Sequence, residues 1–282
     1  MAFLDWLKIM FLGVVEGVTE WLPISSTGHL ILTDAFWGTK TPSVLTDEFM
    51  EMFTVVIQFG AILAVLLLFW KKLWPFHRLQ RQETGIDRLC DRRKMIMWLK
   101  IAVSCVPAVI IGLPLDDWMD AHLYTPVVVA AMLILYGVGF LLVERYNRRR
   151  KPRIRRMADF TWVDAALIGV FQVLALVPGT SRSGATILGG ILIGASRGLA
   201  AEYTFFLAVP VMFGASLLKL VKFGFAFSGT QLGALLLGMV IAFVVSLFAI
   251  RFLMNYIKKH DFSVFGWYRI VLGALVLLIA LL

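Results

Sequence analysis

Long apolar stretches alternate with short polar ones along this chain. A membrane-spanning helix needs about 20 consecutive apolar residues, and the sequence contains six separate stretches of about that length. They lie near Met52–Trp70, Met97–Leu115, Pro126–Val143, Leu199–Leu218, Gln231–Ile250 and Val264–Leu282. We therefore predict an all-α polytopic membrane protein in which residues 1–282 form a single integral membrane domain.

Two further apolar regions, roughly Phe3–Trp37 and Phe160–Ser196, are each interrupted by a polar string. Each region is short for two tilted crossings, and it suits a pair of half-helices that enter and leave on one face. We predict two re-entrant helix hairpins, over residues 3–37 and 160–196. The alternative is that each region forms two complete crossings.

The two polar strings, Pro23–His29 and Pro178–Gly184, are related to each other. A shift of about 156 residues superposes Ser25 on Ser181, and a glycine on a glycine three positions later. Interrupted apolar segments at corresponding places in two halves of a membrane protein point to its binding site. We expect the function to depend on these two strings.

The composition supports a membrane protein. The chain is 60% hydrophobic and 16% charged, whereas soluble domains have about a quarter charged residues. Of the two cysteines, Cys90 lies in a basic loop and Cys105 in a predicted span. This placement indicates neither a disulfide framework nor a metal cluster.

The net charge of +9 is concentrated in two segments. Of the 27 Lys and Arg residues, 16 lie within Lys71–Lys94 and Arg145–Arg156. Basic clusters in short loops beside spans mark the cytoplasmic side and attract anionic lipid headgroups. We predict membrane lipids as partners at these loops, and no nucleic acid.

The charge distribution also predicts the topology. With both basic segments inside, each half of the chain holds three crossings and one hairpin. Because three is odd, the halves are predicted to form an inverted-topology repeat with both termini outside. Asp116–Asp120 is then expected to be an outer loop, and Lys219 and Lys222 also fall outside, against the usual bias. The predicted units are repeat 1 over about residues 1–145, a basic cytoplasmic loop over about 144–157, and repeat 2 over about 158–282.

The first motif carries two carboxylates and a histidine. Glu16 and Glu20 are four residues apart and share one helix face, where they need a cation, a shared proton or a bound metal. We expect them as ligands of Mg²⁺ or Ca²⁺ if the protein uses a metal. His29 follows Ser26 by three residues, so both side chains are expected to project to one face.

Hydroxyl groups surround the predicted break in the first motif. A single hydroxyl would serve as a helix N-cap. Three hydroxyls, a glycine and free backbone amides at a helix N-terminus form a cradle for phosphate. These residues are Ser25, Ser26, Thr27 and Gly28.

The second motif contributes an arginine. Arg182 is flanked by Ser181 and Ser183, and it lies between Gly179 and Gly184. A guanidinium binds phosphate oxygens in a bidentate manner and keeps its charge within a membrane. The alternative is that Arg182 only neutralises Glu16 or Glu20.

Two more carboxylates, Glu51 and Glu202, open the spans that follow the motifs. The helix dipole favours a carboxylate at a helix start. A supporting role at the site is the alternative.

Together the motifs suit phosphoryl transfer on a lipid phosphate or diphosphate, in which catalysis is mostly positioning and charge stabilisation. The sequence contains no Walker loop, no zinc-ligand spacing and no dinucleotide fingerprint. We therefore expect no organic cofactor.

At Glu16–His29 and Val177–Thr186 the sequence resembles the undecaprenyl-diphosphate phosphatase family, the bacitracin-resistance proteins of bacterial inner membranes. The resemblance implies hydrolysis of undecaprenyl diphosphate to undecaprenyl phosphate and inorganic phosphate, which recycles the lipid carrier for peptidoglycan synthesis. It also implies an inverted-repeat fold with a site open to the periplasm. The implied catalytic residues are Glu20, Ser26, His29 and Arg182. The implied diphosphate-binding residues are Glu16, Ser25, Thr27, Gly28, Gly179, Thr180, Ser181 and Ser183.

Several alternatives remain at this point. Ser26 is the favoured nucleophile with His29 as acid/base, followed by a phosphohistidine at His29 and then by direct attack of water. The competing class is a lipid flippase or transporter, because inverted repeats with broken helices are also transporter architecture. A phosphatidic-acid-type phosphatase is disfavoured because no histidine follows Arg182 until His260. A homodimer is a further partner that the sequence leaves open.

Overall fold

The computed structural model describes residues 3–37, 46–76 and 90–281, and these residues form eleven α-helices. Six of the helices are long and apolar enough to cross a membrane, which confirms the prediction of an all-α polytopic membrane protein. The six are α3 (Asp47–Leu68), α5 (Arg92–Leu123), α6 (Pro126–Asn147), α9 (Arg197–Phe223), α10 (Gly229–Tyr256) and α11 (Ser263–Leu281). A single helical turn, α4 (Trp70–Leu73), follows α3.

The helix α5 is longer than the sequence predicts. It continues past the apolar stretch to Leu123 and contains Pro107 and Pro114. The prediction that Asp116–Asp120 forms a loop was wrong, since these residues are helical. Hydropathy marks only the apolar part of a helix, which ends at Gly112 here, and it does not register a polar continuation.

Both interrupted regions form two short helices with a break at the polar string. The first region contains α1 (Phe3–Thr19) and α2 (Ser26–Trp37), and the second contains α7 (Trp162–Leu174) and α8 (Arg182–Leu192). At 1.5 Å per residue these helices are roughly 16 to 26 Å long. The hydrocarbon core is about 30 Å thick, so each helix alone falls short of a crossing.

The helices of the two halves pack in reciprocal pairs. The helix α1 packs on α10, and α7 packs on α5, while α3 packs on α9 and α6 on α11. Glycines allow the close approach: a Cβ at Gly13 of α1 would lie 3.0 Å from a carbonyl oxygen of α10, and a Cβ at Gly169 of α7 would lie 2.6 Å from a carbonyl oxygen of α5. Gly13 and Gly169 are again 156 positions apart in the sequence.

Two ion pairs join α9 to the preceding half of the chain, one to α4 and one to α3. Lys72 Nζ lies 2.7 Å from Glu202 Oε2 at one end, and Lys219 pairs with Glu51 at the other. The two α9 positions are 17 residues apart in the sequence, which corresponds to roughly 26 Å along a helix. This is close to the thickness of the hydrocarbon core, about 30 Å. The pairs therefore have the spacing expected of groups at the two boundaries of a membrane, and Glu51 neutralises the charge of Lys219.

Candidate active site

The break in the first region places a carboxylate beside a strained serine. Glu20 directly follows α1, and the fully buried Trp21 anchors the turn by packing edge-on against Phe205 of α9, with ring centroids 5.3 Å apart. Ser25 has φ of 72°, and α2 begins at the next residue, Ser26. The first two residues of α2, Ser26 and Thr27, line the same cavity as Glu20.

The second break repeats this geometry. Ser181 has φ of 68°, and its Oγ accepts a hydrogen bond from the Gly184 amide at 3.2 Å, which caps α8 just before Arg182. Among the described residues, Ser25 and Ser181 are the two non-glycine residues with positive φ. They are also the pair that the 156-residue shift superposes. Backbone strain of this kind costs about 1–3 kcal/mol per residue and concentrates at functional sites.

Glycine at position 25 should relieve this strain. We expect Ser25→Gly to leave the free energy of unfolding unchanged or higher, because glycine adopts positive φ without a steric penalty. The matched change Ser26→Gly lies at the first residue of α2, where φ is not positive, and should lower that free energy because glycine loses more conformational freedom on folding. Denaturant unfolding in detergent measures both, and a larger loss in Ser25→Gly would contradict the strain.

An ion pair joins the two motifs. Arg182 Nη2 and Nε donate to Glu20 Oε1 at 2.9 and 3.1 Å, and the two side chains are only 13% and 10% exposed. Arg182 Nη1 donates to the Thr204 carbonyl of α9 at 3.1 Å. A mostly buried guanidinium is thereby held between a carboxylate and a main-chain oxygen, and its charge lies where the two breaks meet.

A cavity of about 190 Å³ opens at this ion pair. Hydroxyl, carboxylate and guanidinium groups from both breaks line it, together with Gln58 of α3. The sequence offered one signal for Gln58, an amide inside an otherwise apolar span. The predicted site residues that line the cavity are Glu20, Ser25, Ser26, Thr27, Gly179, Ser181 and Arg182.

Other predicted site residues lie behind this surface. The Ser183 hydroxyl is 3.2 Å from the Ser181 hydroxyl and also reaches the Leu22 carbonyl at 3.5 Å. Thr180 is fully buried, and Gly28 faces Leu133 of α6 so closely that a Cβ would lie 2.9 Å from that side chain. These residues shape the loops and do not line the cavity themselves.

Glu16 is buried below Glu20, one turn earlier in α1. Its neighbours include Gln58, Glu20 and Arg182, and its Oε1 has no hydrogen-bond partner within the described residues. Those residues contain no group of three or more His, Cys, Asp or Glu that could hold a metal. Glu16 and Glu20 therefore fit a divalent cation only with further oxygens from a bound phosphate, as is common for Mg²⁺.

His29 is not among the described residues that line this cavity. Its Nδ1 donates to the Ser25 carbonyl at 2.7 Å, and its Nε2 lies 2.6 Å from the Tyr268 hydroxyl of α11. A carbonyl only accepts, so the neutral ring carries its proton on Nδ1 and accepts at Nε2. Tyr268 is a residue that sequence reasoning missed, and nothing in its local sequence signals the contact.

Arg269 is a second residue that sequence reasoning missed. It is fully buried, and its guanidinium donates to the Gly179 and Thr180 carbonyls at 2.8 Å each and to the Pro23 carbonyl at 3.3 Å. It therefore links the two breaks directly. A signal was present in the sequence, because a lone arginine inside an apolar span is by default a functional residue.

The fold and the site together define a class: a polytopic α-helical membrane protein whose two broken segments build one polar site around a buried ion pair. The comparison with known families agrees with this class. The model of the bacitracin resistance protein BacA family matches residues 9–275, and the chain belongs to that family.

Curated relatives match over nearly the whole chain. A protein of Enterococcus faecalis named undecaprenyl-diphosphatase is 56% identical over 279 residues, which are 99% of this chain and 98% of the relative. Proteins with the same name from Lachnoclostridium phytofermentans and Acetivibrio thermocellus are 53% and 55% identical over 98% of this chain and 97% of each relative.

Proposed function

We propose that this protein is an integral membrane phosphatase that hydrolyses undecaprenyl diphosphate to undecaprenyl phosphate and inorganic phosphate. The observation that carries the proposal is the Arg182–Glu20 pair in a cavity lined by Ser26 and the loop hydroxyls. The names of the relatives point to the same substrate. Such an activity recycles the lipid carrier for peptidoglycan synthesis and gives resistance to bacitracin.

The mechanism assigns binding to Arg182. Its fork of donors turns from Glu20 to the terminal phosphoryl group and stabilises the charge that develops in the transition state. Ser26 Oγ attacks the terminal phosphorus, the bond to the bridging oxygen breaks, and undecaprenyl phosphate leaves. Water then hydrolyses the phosphoserine and releases inorganic phosphate. Ser26 is favoured over His29 as nucleophile because Ser26 lines the cavity with Arg182.

In this mechanism, His29 and Glu20 handle protons. Glu20 is freed when Arg182 turns to the phosphate, and its carboxylate takes the proton of the Ser26 hydroxyl. His29 is held by the Ser25 carbonyl and Tyr268, and its Nε2 accepts, through the tyrosine hydroxyl, the proton of the water that hydrolyses the phosphoserine. If the terminal phosphate of the substrate carries ³²P, we expect the unmodified chain and His29→Ala to become labelled. We expect Ser26→Ala to carry no label. An acid-labile, base-stable label would instead indicate a phosphohistidine.

A divalent cation, Mg²⁺ or Ca²⁺, would be held by Glu16 and Glu20 with the diphosphate oxygens. It would supply charge neutralisation at the phosphoryl group. The unpartnered Glu16 Oε1 supports this assignment.

We further infer an inverted-topology repeat of re-entrant hairpins in the bacterial inner membrane, with both termini in the periplasm. The reciprocal helix pairs support the repeat. The active-site cavity lies nearer the Glu51–Lys219 boundary: Gln58 is 7 residues from Glu51 in the sequence and 14 from Lys72. The basic segments adjoin the Lys72 boundary, which is therefore cytoplasmic, and the cavity opens toward the periplasm.

Tyr268→Phe tests the role of the His29 contact. The variant keeps the ring and loses the hydroxyl at Nε2, so we expect kcat for phosphate release to fall by about tenfold or more, with KM little changed and the pH profile altered. Tyr256→Phe is the matched control, because Tyr256 also packs on a histidine, His260, with ring centroids 4.6 Å apart. An unchanged kcat in Tyr268→Phe would remove Tyr268 and His29 from the proton path.

An experiment in proteoliposomes that contain undecaprenyl diphosphate, without an ion gradient, distinguishes hydrolysis from transport. We expect the lipid to be converted to undecaprenyl phosphate with one inorganic phosphate released per lipid. Movement of intact undecaprenyl diphosphate between leaflets, without release of phosphate, would favour the flippase.

A further inference from the structure

A second and larger cavity, of about 650 Å³, lies at the cytoplasmic boundary inferred above. The helix α4, the start of α5, residues 155–158 and the start of α9 line it, and none of these described residues lines the active-site cavity. On α9 its lining residues Leu199, Glu202 and Phe206 follow one helix face, whereas Thr204, which contacts Arg182, lies on another. We call this second cavity the basic cavity.

The two basic clusters of the sequence meet in the basic cavity. Lys71 and Lys72 come from the first cluster, and Arg155 and Arg156 come from the second. With three more cations from α5, seven Lys and Arg side chains among the described residues line the cavity, beside the carboxylates of Asp91 and Glu202. Residues about 80 positions apart in the sequence have thus been folded into one strongly cationic pocket.

Only part of this charge is neutralised inside the protein. Lys72 pairs with Glu202 at 2.7 Å, and Arg156 pairs with Asp159 at 2.9 Å. The hydrogen bond from Arg156 holds the pKa of Asp159 below its ordinary value, so this pair stays ionised. Lys71, Arg93 and Arg155 have no carboxylate within 4 Å in the part of the chain that the structure describes. The described lining of the cavity therefore keeps a net positive charge that suits an anion.

The other walls of the basic cavity are apolar. Met97, Leu199 and Phe206 form a buried floor beneath the cations. Trp70 and Trp74 stack at 4.4 Å beside the cavity, and each is nearly half exposed, as tryptophans at the headgroup level of a membrane often are. Cationic walls over an apolar floor suit an amphiphile better than a fully soluble anion.

We propose that the basic cavity binds one anionic lipid of the cytoplasmic leaflet, with the lipid phosphate among the lysines and arginines and its glycerol and chains against the apolar floor. The proposal rests on the orientation inferred under the proposed function. It adds a defined lipid site to the general attraction between basic loops and anionic headgroups. It does not involve the residues that carry out hydrolysis.

Brominated lipids provide the test, because bromine quenches nearby tryptophans such as Trp70 and Trp74. The purified protein in nonionic detergent is titrated with dibrominated phosphatidylglycerol and dibrominated phosphatidylcholine. We compare the cavity variant Lys71→Gln/Arg93→Gln/Arg155→Gln with a control variant that removes three exposed charges elsewhere, Arg148→Gln/Arg149→Gln/Lys259→Gln. Each cation near an anionic headgroup contributes about 1 kcal/mol, so the cavity variant should bind phosphatidylglycerol about a hundredfold more weakly, and the control variant within about twofold of the unmodified chain.

Three results would overturn the proposal. Equal losses in both triple variants would indicate diffuse attraction and no defined site. Equal affinity for the two lipids would remove the role of the anionic headgroup. Competition by soluble glycerol phosphate at the same concentration would indicate a site for a free anion.

Release of phosphate from undecaprenyl diphosphate, measured on the same samples, should persist in the cavity variant. If the unmodified chain binds phosphatidylglycerol but does not hydrolyse undecaprenyl diphosphate, the proposed phosphatase function is contradicted and the proposed lipid site is not.

Discussion

Arg182→Ala is expected to lower the rate of phosphate release from undecaprenyl diphosphate by a factor of about a hundred to a thousand. Removal of one preorganised donor to a developing negative charge has an effect of this size. Arg182 is also the cation that pairs with Glu20 between the two breaks, so its loss leaves that carboxylate without its partner. Steady-state kinetics in detergent measures the change in kcat and KM.

Two controls separate the role of Arg182 in binding phosphate from its role in folding. Arg182→Lys keeps the charge and loses the bidentate fork, so its rate should lie between those of the unmodified chain and Arg182→Ala. Arg251→Ala removes an exposed arginine of α10 and should leave the rate unchanged. Full activity in Arg182→Ala would show that the arginine only neutralises Glu20, which is the alternative that the sequence left open.

Arg269→Met should lower stability and activity together. The methionine fills much of the space but leaves the Pro23, Gly179 and Thr180 carbonyls without their donor, and each buried unsatisfied group costs about 1–3 kcal/mol. We expect a clear fall in the midpoint of thermal unfolding. Because the two breaks lose the guanidinium that links them, kcat should also fall, even when it is measured at temperatures below the lowered midpoint of unfolding.

The comparison with Arg269→Lys makes this prediction specific. A lysine keeps the charge and reaches fewer carbonyls than the guanidinium fork, so it should restore part of the stability. Arg182→Ala is expected to reduce activity with a smaller effect on unfolding, since its guanidinium bonds one carboxylate oxygen and one carbonyl. An Arg269→Met variant that unfolds like the unmodified chain and keeps its kcat would show that the link between the breaks has no role.

The sequence predicted the parts of the fold that depend on local composition. Apolar length identified the six candidate spans of the described residues, and Pro, Gly and Ser at 23–28 and 178–184 identified both breaks, because these residues interrupt helices locally. The predicted end of α5 was wrong because the polar residues that continue the helix have no hydropathy signal. The 156-residue shift matched the two strained serines, Ser25 and Ser181, before any backbone angle was known.

The sequence did not predict contacts that depend on distant segments. The spacing of Ser26 and His29 did not indicate Tyr268, which holds the histidine ring from 239 residues further along the chain. Arg269 was detectable as a charge within a span, yet its partners in both breaks follow only from the packing of α11 on α6. The catalytic roles of Glu20, Ser26, His29 and Arg182 remain predictions that the experiments above address.

Release of phosphate from undecaprenyl diphosphate by the purified protein in detergent tests the central claim most directly. The unmodified chain should release one phosphate per lipid, and Ser26→Ala and Arg182→Ala, checked for intact folding, should lose at least about 99% of that rate. No release by well-folded unmodified protein, with or without Mg²⁺ or Ca²⁺, would contradict the phosphatase and favour a lipid transporter built on the same fold.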